Sequence, residues 1–252
     1  MVFIIFIVLI LFSILIKKYN TIQENYINEI PIIIYYHIAE IGEWEKIVIE
    51  QLNLIESSGL YKICKEIRIG FLGNKNNVLK FIHDKVKLVY HSENLKEYEH
   101  PTLNSLLYFS KQCKRVNYIL YIHNKGSTNR LCNKINGQYY WRQLMNYWMI
   151  EQYKKCIHHL NNGFLTCGIN KNPHNTHYSG NFWWATTIYI SQLSRILNYN
   201  DRLYSENWLL TKKYKNKNIS IHGPYVKSVN CDGLYGMKLL RKDYLNDDIR
   251  LF

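Results

Sequence analysis

The sequence has no C-x-x-C pair, although it carries six cysteines, Cys64, Cys113, Cys132, Cys156, Cys167 and Cys231. Their scattered spacing resembles neither a zinc site nor a compact disulfide framework, and it points to reduced, mostly structural thiols. No internal repeat is visible, and 252 residues suit one globular domain with a real core. There is also no dense Lys/Arg block and no RNA-binding aromatic motif, so a nucleic-acid partner is not expected. The formal charge of +13 could mean an anionic membrane surface or a phosphorylated substrate. However, the chain is rich in Asn, Lys, Ile and Tyr, residues with AT-rich codons, so genomic composition is a competing source of the basicity.

The amino terminus lacks two marks of a cleaved signal peptide: a basic region before the apolar run and a small-residue cleavage site after it. What is present is an apolar run from Val2 to Ile16, interrupted only by Ser13 and followed by Lys17 and Lys18. As a helix it would be roughly 22 Å long, short of the ~30 Å hydrocarbon layer, so it would span only with snorkelling flanks or a thin bilayer. Residues 1–18 are therefore expected to be an uncleaved membrane anchor, 19–30 a connector and 31–252 the functional domain. The lysines on the carboxyl side predict a cytoplasmic domain.

Beyond the connector, apolar runs alternate with helical stripes. Ile32 to His37 reads as a strand buried on both faces, and Glu43 to Ser57 as a helix with Trp44, Ile47, Val48, Gln51, Leu52 and Ile55 on one side. Strands follow at Glu66 to Leu72 and Val86 to Tyr90, with a short helix at Asn77 to His83 between them. Thr102 to Cys113 reads as a helix behind Pro101. Asn117 to Ile122 is the strongest strand signal. Tyr139 to Leu160 is a long helix, Phe164 to Ile169 a strand and Ile188 to Leu197 a helix. This order predicts an α/β fold, a mainly parallel central sheet flanked by helices.

Two stretches stand out as sites. The strand ending at Ile122 runs into His123-Asn124-Lys125-Gly126, at the carboxyl end where open α/β sheets bind ligands. A polar turn with a left-handed glycine would look the same. The second stretch is His177-Tyr178-Ser179-Gly180-Asn181-Phe182-Trp183-Trp184-Ala185. As a strand it would send Asn181, Trp183 and Ala185 to one face and Phe182 and Trp184 to the other. A buried core strand is one reading. A ligand wall is the other, with one tryptophan in the core and the other facing a cleft beside Asn181.

Taken in order, Y-I-L-Y-I-H-N-K-G, W-R-Q-L-M-N-Y-W, H-Y-S-G-N-F-W-W-A and R-L-Y-S-E-N-W resemble a family of glycosyltransferases from large DNA viruses and some microbes. That family includes the amino-terminal rhamnosyltransferase-like domain of a chlorella virus protein. The similarity runs from about Ile32 to Leu210. It implies a GT-A-like fold, with a nucleotide-binding sheet beside an acceptor region. It also implies transfer of a sugar, with inversion, from a nucleotide-sugar donor to a glycan or other hydroxyl acceptor.

One departure concerns metal. Many GT-A enzymes hold Mn²⁺ or Mg²⁺ with Asp-x-Asp, and this sequence has none. Glu97 and Glu99, with Asp84 or the late His222, are the available substitutes for a divalent cation. On the donor side, Lys125 is placed against the diphosphate, His123 donates to phosphate or sugar, and Gly126 permits close approach. Glu206 is the candidate general base, against the alternative of a carboxylate favoured at a helix start. His177, Tyr178, Gly180, Asn181, Trp183 and Trp184 would line the sugar junction. Arg142 and Arg202 could serve phosphate or structural ion pairs. A non-catalytic glycan-binding or glycan-assembly protein on the same fold is the rival reading.

Overall fold

The computed structural model describes residues 11–14, 30–127, 137–171, 177–212 and 218–220. Contacts divide the chain into two units, Met1–Pro31 and Ile32–Phe252. In the first, residues 11–14 are helical and exposed; the rest of the expected anchor, and the connector as far as residue 29, lie outside the described residues. Among the described residues no helix is long and apolar enough to cross a membrane.

The second unit is built on β1 (Ile32–Ala39), whose first seven residues are all buried. A strand so apolar needs cover on both faces and partners on both edges. Helix α1 (Trp44–Ser57) covers one face and buries Trp44, Ile47, Val48, Gln51 and Ile55, the predicted stripe apart from Leu52. Next come β2 (Cys64–Leu72) and β3 (Val86–Ser92). Helix α2 (His100–Gln112) then covers the opposite face. Pro101 sits in its first turn, where a missing N–H breaks no helical bond. Strand β4 (Tyr118–His123) returns to pair in parallel with β1.

The long helix expected from Tyr139 to Leu160 exists with one irregularity. Helix α3 (Gly137–Asn146) passes through a π turn, Tyr147–Glu151, into α4 (Tyr153–Asn161). Strands β5 (Thr166–Gly168) and β6 (Trp183–Thr186), helices α5 (Thr187–Ile190) and α6 (Leu203–Trp208), and β7 (Asn218–Ser220) follow. The sheet order is β3-β2-β1-β4-β6-β5-β7. All pairings are parallel except those of β6 with β4 and β5. The expected α/β class and mainly parallel sheet are therefore present, with one reversed strand.

Two expectations are corrected. Ile188 to Leu197 is not one helix, because α5 stops at Ile190. The Asn104 side chain clamps Ile196 instead, accepting from its N–H at 2.9 Å and donating to its carbonyl at 3.0 Å, a bond pattern no helix offers. The second correction concerns Trp183 and Trp184, which are 1% and 0% exposed. Neither ring faces a cleft. Trp183 stacks on Tyr121, ring centres 4.9 Å apart, in the cluster under α2. Trp184 points to the other face and donates from Nε1 to Met149 O at 2.9 Å, inside the π turn. The predicted alternation of the strand holds; both of its faces are core because a helical layer covers each.

The widened turn and the indole fit each other, which gives a stability test. Trp184→Phe should cost roughly 2 kcal/mol or more, because a buried carbonyl loses its donor and a cavity opens. Urea denaturation of wild type and variant measures it, and equal midpoints would show that the turn does not depend on this bond.

Candidate functional site

The strand order reverses direction at β1: the chain moves outward through β2 and β3, then returns to the other side of β1 as β4. With α1 and α2 on opposite faces, a crevice must open between the carboxyl ends of β1 and β4. A cavity of about 310 Å³ lies there. His37 and Ala39 come to it from β1, His123 to Ser127 from the end of β4, Glu99 from the residue before α2, Arg202 from the residue before α6 and Glu206 from α6 itself.

The β4 end is held through its backbone, which leaves side chains for the cleft. Asn124 continues the sheet beyond the strands: its Oδ1 accepts from Ala39 N at 3.0 Å and its Nδ2 donates to Ala39 O at 2.8 Å. Gln51 Nε2 donates to His123 O at 3.3 Å, and Arg142 Nη1 donates to Lys125 O at 3.1 Å. Arg142 is itself paired with Glu50, 3.2 Å from Nη2 to Oε2, and Glu50 also accepts from Gln143 and Asn146. Gly126 has φ 86°, and a Cβ there would crowd the Arg142 guanidinium at 3.1 Å. Arg142 is thus an ion-pair partner that shapes the turn.

On the α2 side lies a buried carboxylate. Glu99 Oε2 accepts from Tyr121 Oη at 2.7 Å and from Asn181 Nδ2 at 2.8 Å. Its Oε1 lies 3.9 Å from His123 Nδ1. Burial pushes the Glu99 pKa up, but His123, His37, the Tyr121 hydroxyl and Lys125 together outweigh it and hold the carboxyl below its ordinary value. His123 Nε2 is 2.9 Å from Gly180 O. A carbonyl only accepts, so Nε2 carries the proton and Nδ1 of the neutral ring is the bare nitrogen. Burial lowers the His123 pKa against the pull of Glu99. Burial also takes His37 down to about 4, with its Nδ1 2.8 Å from Thr102 Oγ1.

A family model described as a domain of unknown function, DUF8361, matches residues 34–235. The chain belongs to the DUF8361 family. A comparison with curated proteins finds no match.

In this DUF8361 chain the predicted donor-side residues His123, Lys125 and Gly126 share the cleft with the predicted base, Glu206. The aromatic stretch does not line it. Tyr178 is buried with its hydroxyl 2.9 Å from Thr166 Oγ1, and His177 Nδ1 lies 3.2 Å from Asn207 Oδ1. Gly180 makes room for Met145 and Trp141, with which a Cβ would collide, so the space a side chain would take is filled by helix packing. Asn181, at φ 58°, is buried between Glu99 and the Trp183 indole, which donates to its Oδ1 at 2.9 Å. The stretch reaches the site through the Gly180 carbonyl and the Asn181 amide, while its rings stay in the core.

The metal expectation fares differently. Glu97 accepts from Tyr90 Oη at 2.8 Å while Glu99 Oε2 is taken by Tyr121 and Asn181, so the two carboxylates serve separate partners. Among the described residues no three His, Cys, Asp or Glu side chains are brought together to hold a metal, and His222 lies outside those residues.

Sequence reasoning passed over His37, Gln51 and Glu50. The signal for His37 was present: I-I-I-Y-Y-H and Y-I-L-Y-I-H are two apolar runs that each close on histidine, and His37 and His123 are register partners across β1 and β4.

The depressed His37 pKa sets a pH dependence. The unfolded ring takes up its proton near 6.5, whereas the folded one does so near 4, so stability is full above 6.5 and falls as the pH drops toward about 4. The loss from this group is on the order of 3 kcal/mol. Thermal unfolding across pH 7 to about 4 should show the slope, and His37→Gln should flatten part of it.

Proposed function

We propose that the cleft binds a nucleotide-sugar and transfers its sugar to a hydroxyl of a glycan acceptor, on a GT-A-like sheet. The observation that carries this reading is the gathering of Lys125, Arg202, two histidines and two carboxylates at one strand-order reversal. Glycosyl transfer needs a counter-charge for the departing diphosphate, a base for the acceptor and a polar surface for the oxocarbenium-like centre. Lys125 and Arg202 supply the first, a role that the described residues do not assign to a metal. Glu206 supplies the base: it lines the cleft one helical turn from Arg202, and its charge reaches His123. Glu99, ionised and buried, lends negative charge opposite a developing cation. Attack assisted by Glu206 from the face opposite the diphosphate inverts the anomeric carbon.

The division of the sheet supports the same reading. The parallel set β3-β2-β1-β4 ends in the cleft, and the reversed strand β6 begins an adjoining half suited to an acceptor region. The apolar run at residues 2–16 would tether the enzyme to a membrane.

The test is thermal shift and turnover on a panel of UDP-, GDP- and dTDP-hexoses, with and without Mn²⁺. At least one should raise the unfolding temperature by mass action and release its nucleoside diphosphate on acceptor. Lys125→Ala should weaken binding of the nucleoside diphosphate about tenfold, in line with a charge-assisted contact. Glu206→Gln should cut turnover by a factor on the order of 10² while leaving donor affinity near wild type. Binding without turnover across the panel would favour a glycan-binding protein over an enzyme.

A further inference from the structure

The buried edge of the cleft carries an imbalance of hydrogen-bonding groups. Glu99 Oε2 has two donors, Tyr121 Oη and Asn181 Nδ2, whereas Oε1 has none among the described residues, and the side chain lines the cavity. Beside it, His123 Nδ1 is the bare nitrogen, since Nε2 is committed to the Gly180 carbonyl. Two acceptors therefore stand 3.9 Å apart on a surface only 13% and 11% exposed, with no donor between them. The arrangement is rigid on both sides. Glu99 is pinned by residues of β4 and of the turn before β6, and the His123 ring is pinned by that same turn and by an edge-to-face contact with Phe182, ring centres 5.1 Å apart.

A ligand that suits this acceptor pair is one that brings a donor for each. A single hydroxyl has one proton and satisfies only one of them. Two hydroxyls on neighbouring carbons can each donate to one acceptor, at bond lengths of about 2.8 Å, across a gap of this width. A phosphate offers further acceptors and is excluded by the Glu99 charge. Lys125 stands two residues from His123 at the cleft and suits the diphosphate, so the same strand end separates the two halves of one ligand.

We propose that Glu99 Oε1 and His123 Nδ1 form the subsite that grips two adjacent hydroxyls of the transferred sugar. This rests on the glycosyltransferase reading and adds to it a substrate requirement: a donor sugar with an intact vicinal diol. Glu99 then acts as a substrate-binding carboxylate, distinct from the base Glu206.

The experiment is calorimetric titration of wild type and Glu99→Gln with the UDP-, GDP- and dTDP-hexoses and with the parent diphosphates. Glu99→Gln keeps an oxygen for Tyr121 and Asn181 but offers the cleft an N–H in place of an acceptor. It should bind the parent diphosphate within about twofold of wild type and lose about tenfold to a hundredfold for the nucleotide-sugar. A second arm needs no variant: for wild type, analogues of the best-binding nucleotide-sugar with single hydroxyls removed should lose affinity at two adjacent positions and at no others. Those losses should shrink in Glu99→Gln, as expected of coupled partners. If wild type binds no nucleotide-sugar in the panel, the glycosyltransferase reading falls and this subsite with it. If a nucleotide-sugar binds but Glu99→Gln keeps the wild-type preference over diphosphate, or no adjacent pair of hydroxyls matters, only the subsite is overturned. A variant that alters the acceptor KM alone would likewise overturn the assignment to the transferred sugar.

Discussion

The parallel pairing of β1 with β4 is the constraint on which the rest of this molecule depends. Both strands are apolar to their last turn and buried on both faces, so polar chemistry can begin only where they end. Their register then sets His37 opposite His123, and the Asn124 side chain adds one more rung to the ladder by pairing with both backbone groups of Ala39. The cleft floor is thus an extension of the sheet, and it inherits the stiffness of the sheet.

The two faces of the sheet support that floor by different means. Toward α1 and α3, Glu50, Gln51, Arg142, Gln143 and Asn146 form a polar cluster whose donors reach the His123 and Lys125 carbonyls. Toward α2, Tyr121 and Asn181 fix one oxygen of Glu99, whose side chain lines the cleft. A buried charge is tolerated only when its lone pairs are met, and here they are met on one side only. Burial also holds both histidines neutral near pH 7, so the carboxylate carries the floor's charge.

The aromatic stretch from His177 to Ala185 shows where sequence patterns mislead. Alternation along Trp183, Trp184 and Ala185 was legible and correct, because side-chain direction in a strand is a local property. Which face is wet is not local. It depends on α2 and α6 covering one side and α3 and α4 the other, and both tryptophans disappear into the core. What reaches the site from this stretch is a backbone carbonyl at Gly180 and an amide at Asn181, both in left-handed backbone, and neither advertises its partner in the sequence. The helix expected up to Leu197 failed for a related reason: Asn104, 92 residues away, captures the Ile196 backbone.

By itself the sequence determined the alternation of strands and helices, the core stripe of α1, the burial of β1, and the placing of His123, Lys125 and Gly126 at a strand end. Each of these follows from hydrophobic periodicity or from the chemistry of a few neighbouring residues. Only the tertiary structure decided that His37, Glu99, Arg202 and Glu206 meet that strand end, and that Arg142 and Gln51 brace it from behind. It also turned Glu99 from a candidate metal ligand into an oriented acceptor, since its donors Tyr121 and Asn181 lie 22 and 82 residues away. The physical reason is common to all of these. A hydrogen bond or a shared cavity wall depends on distance in space, and the chain records such distances only after the sheet has closed around β1.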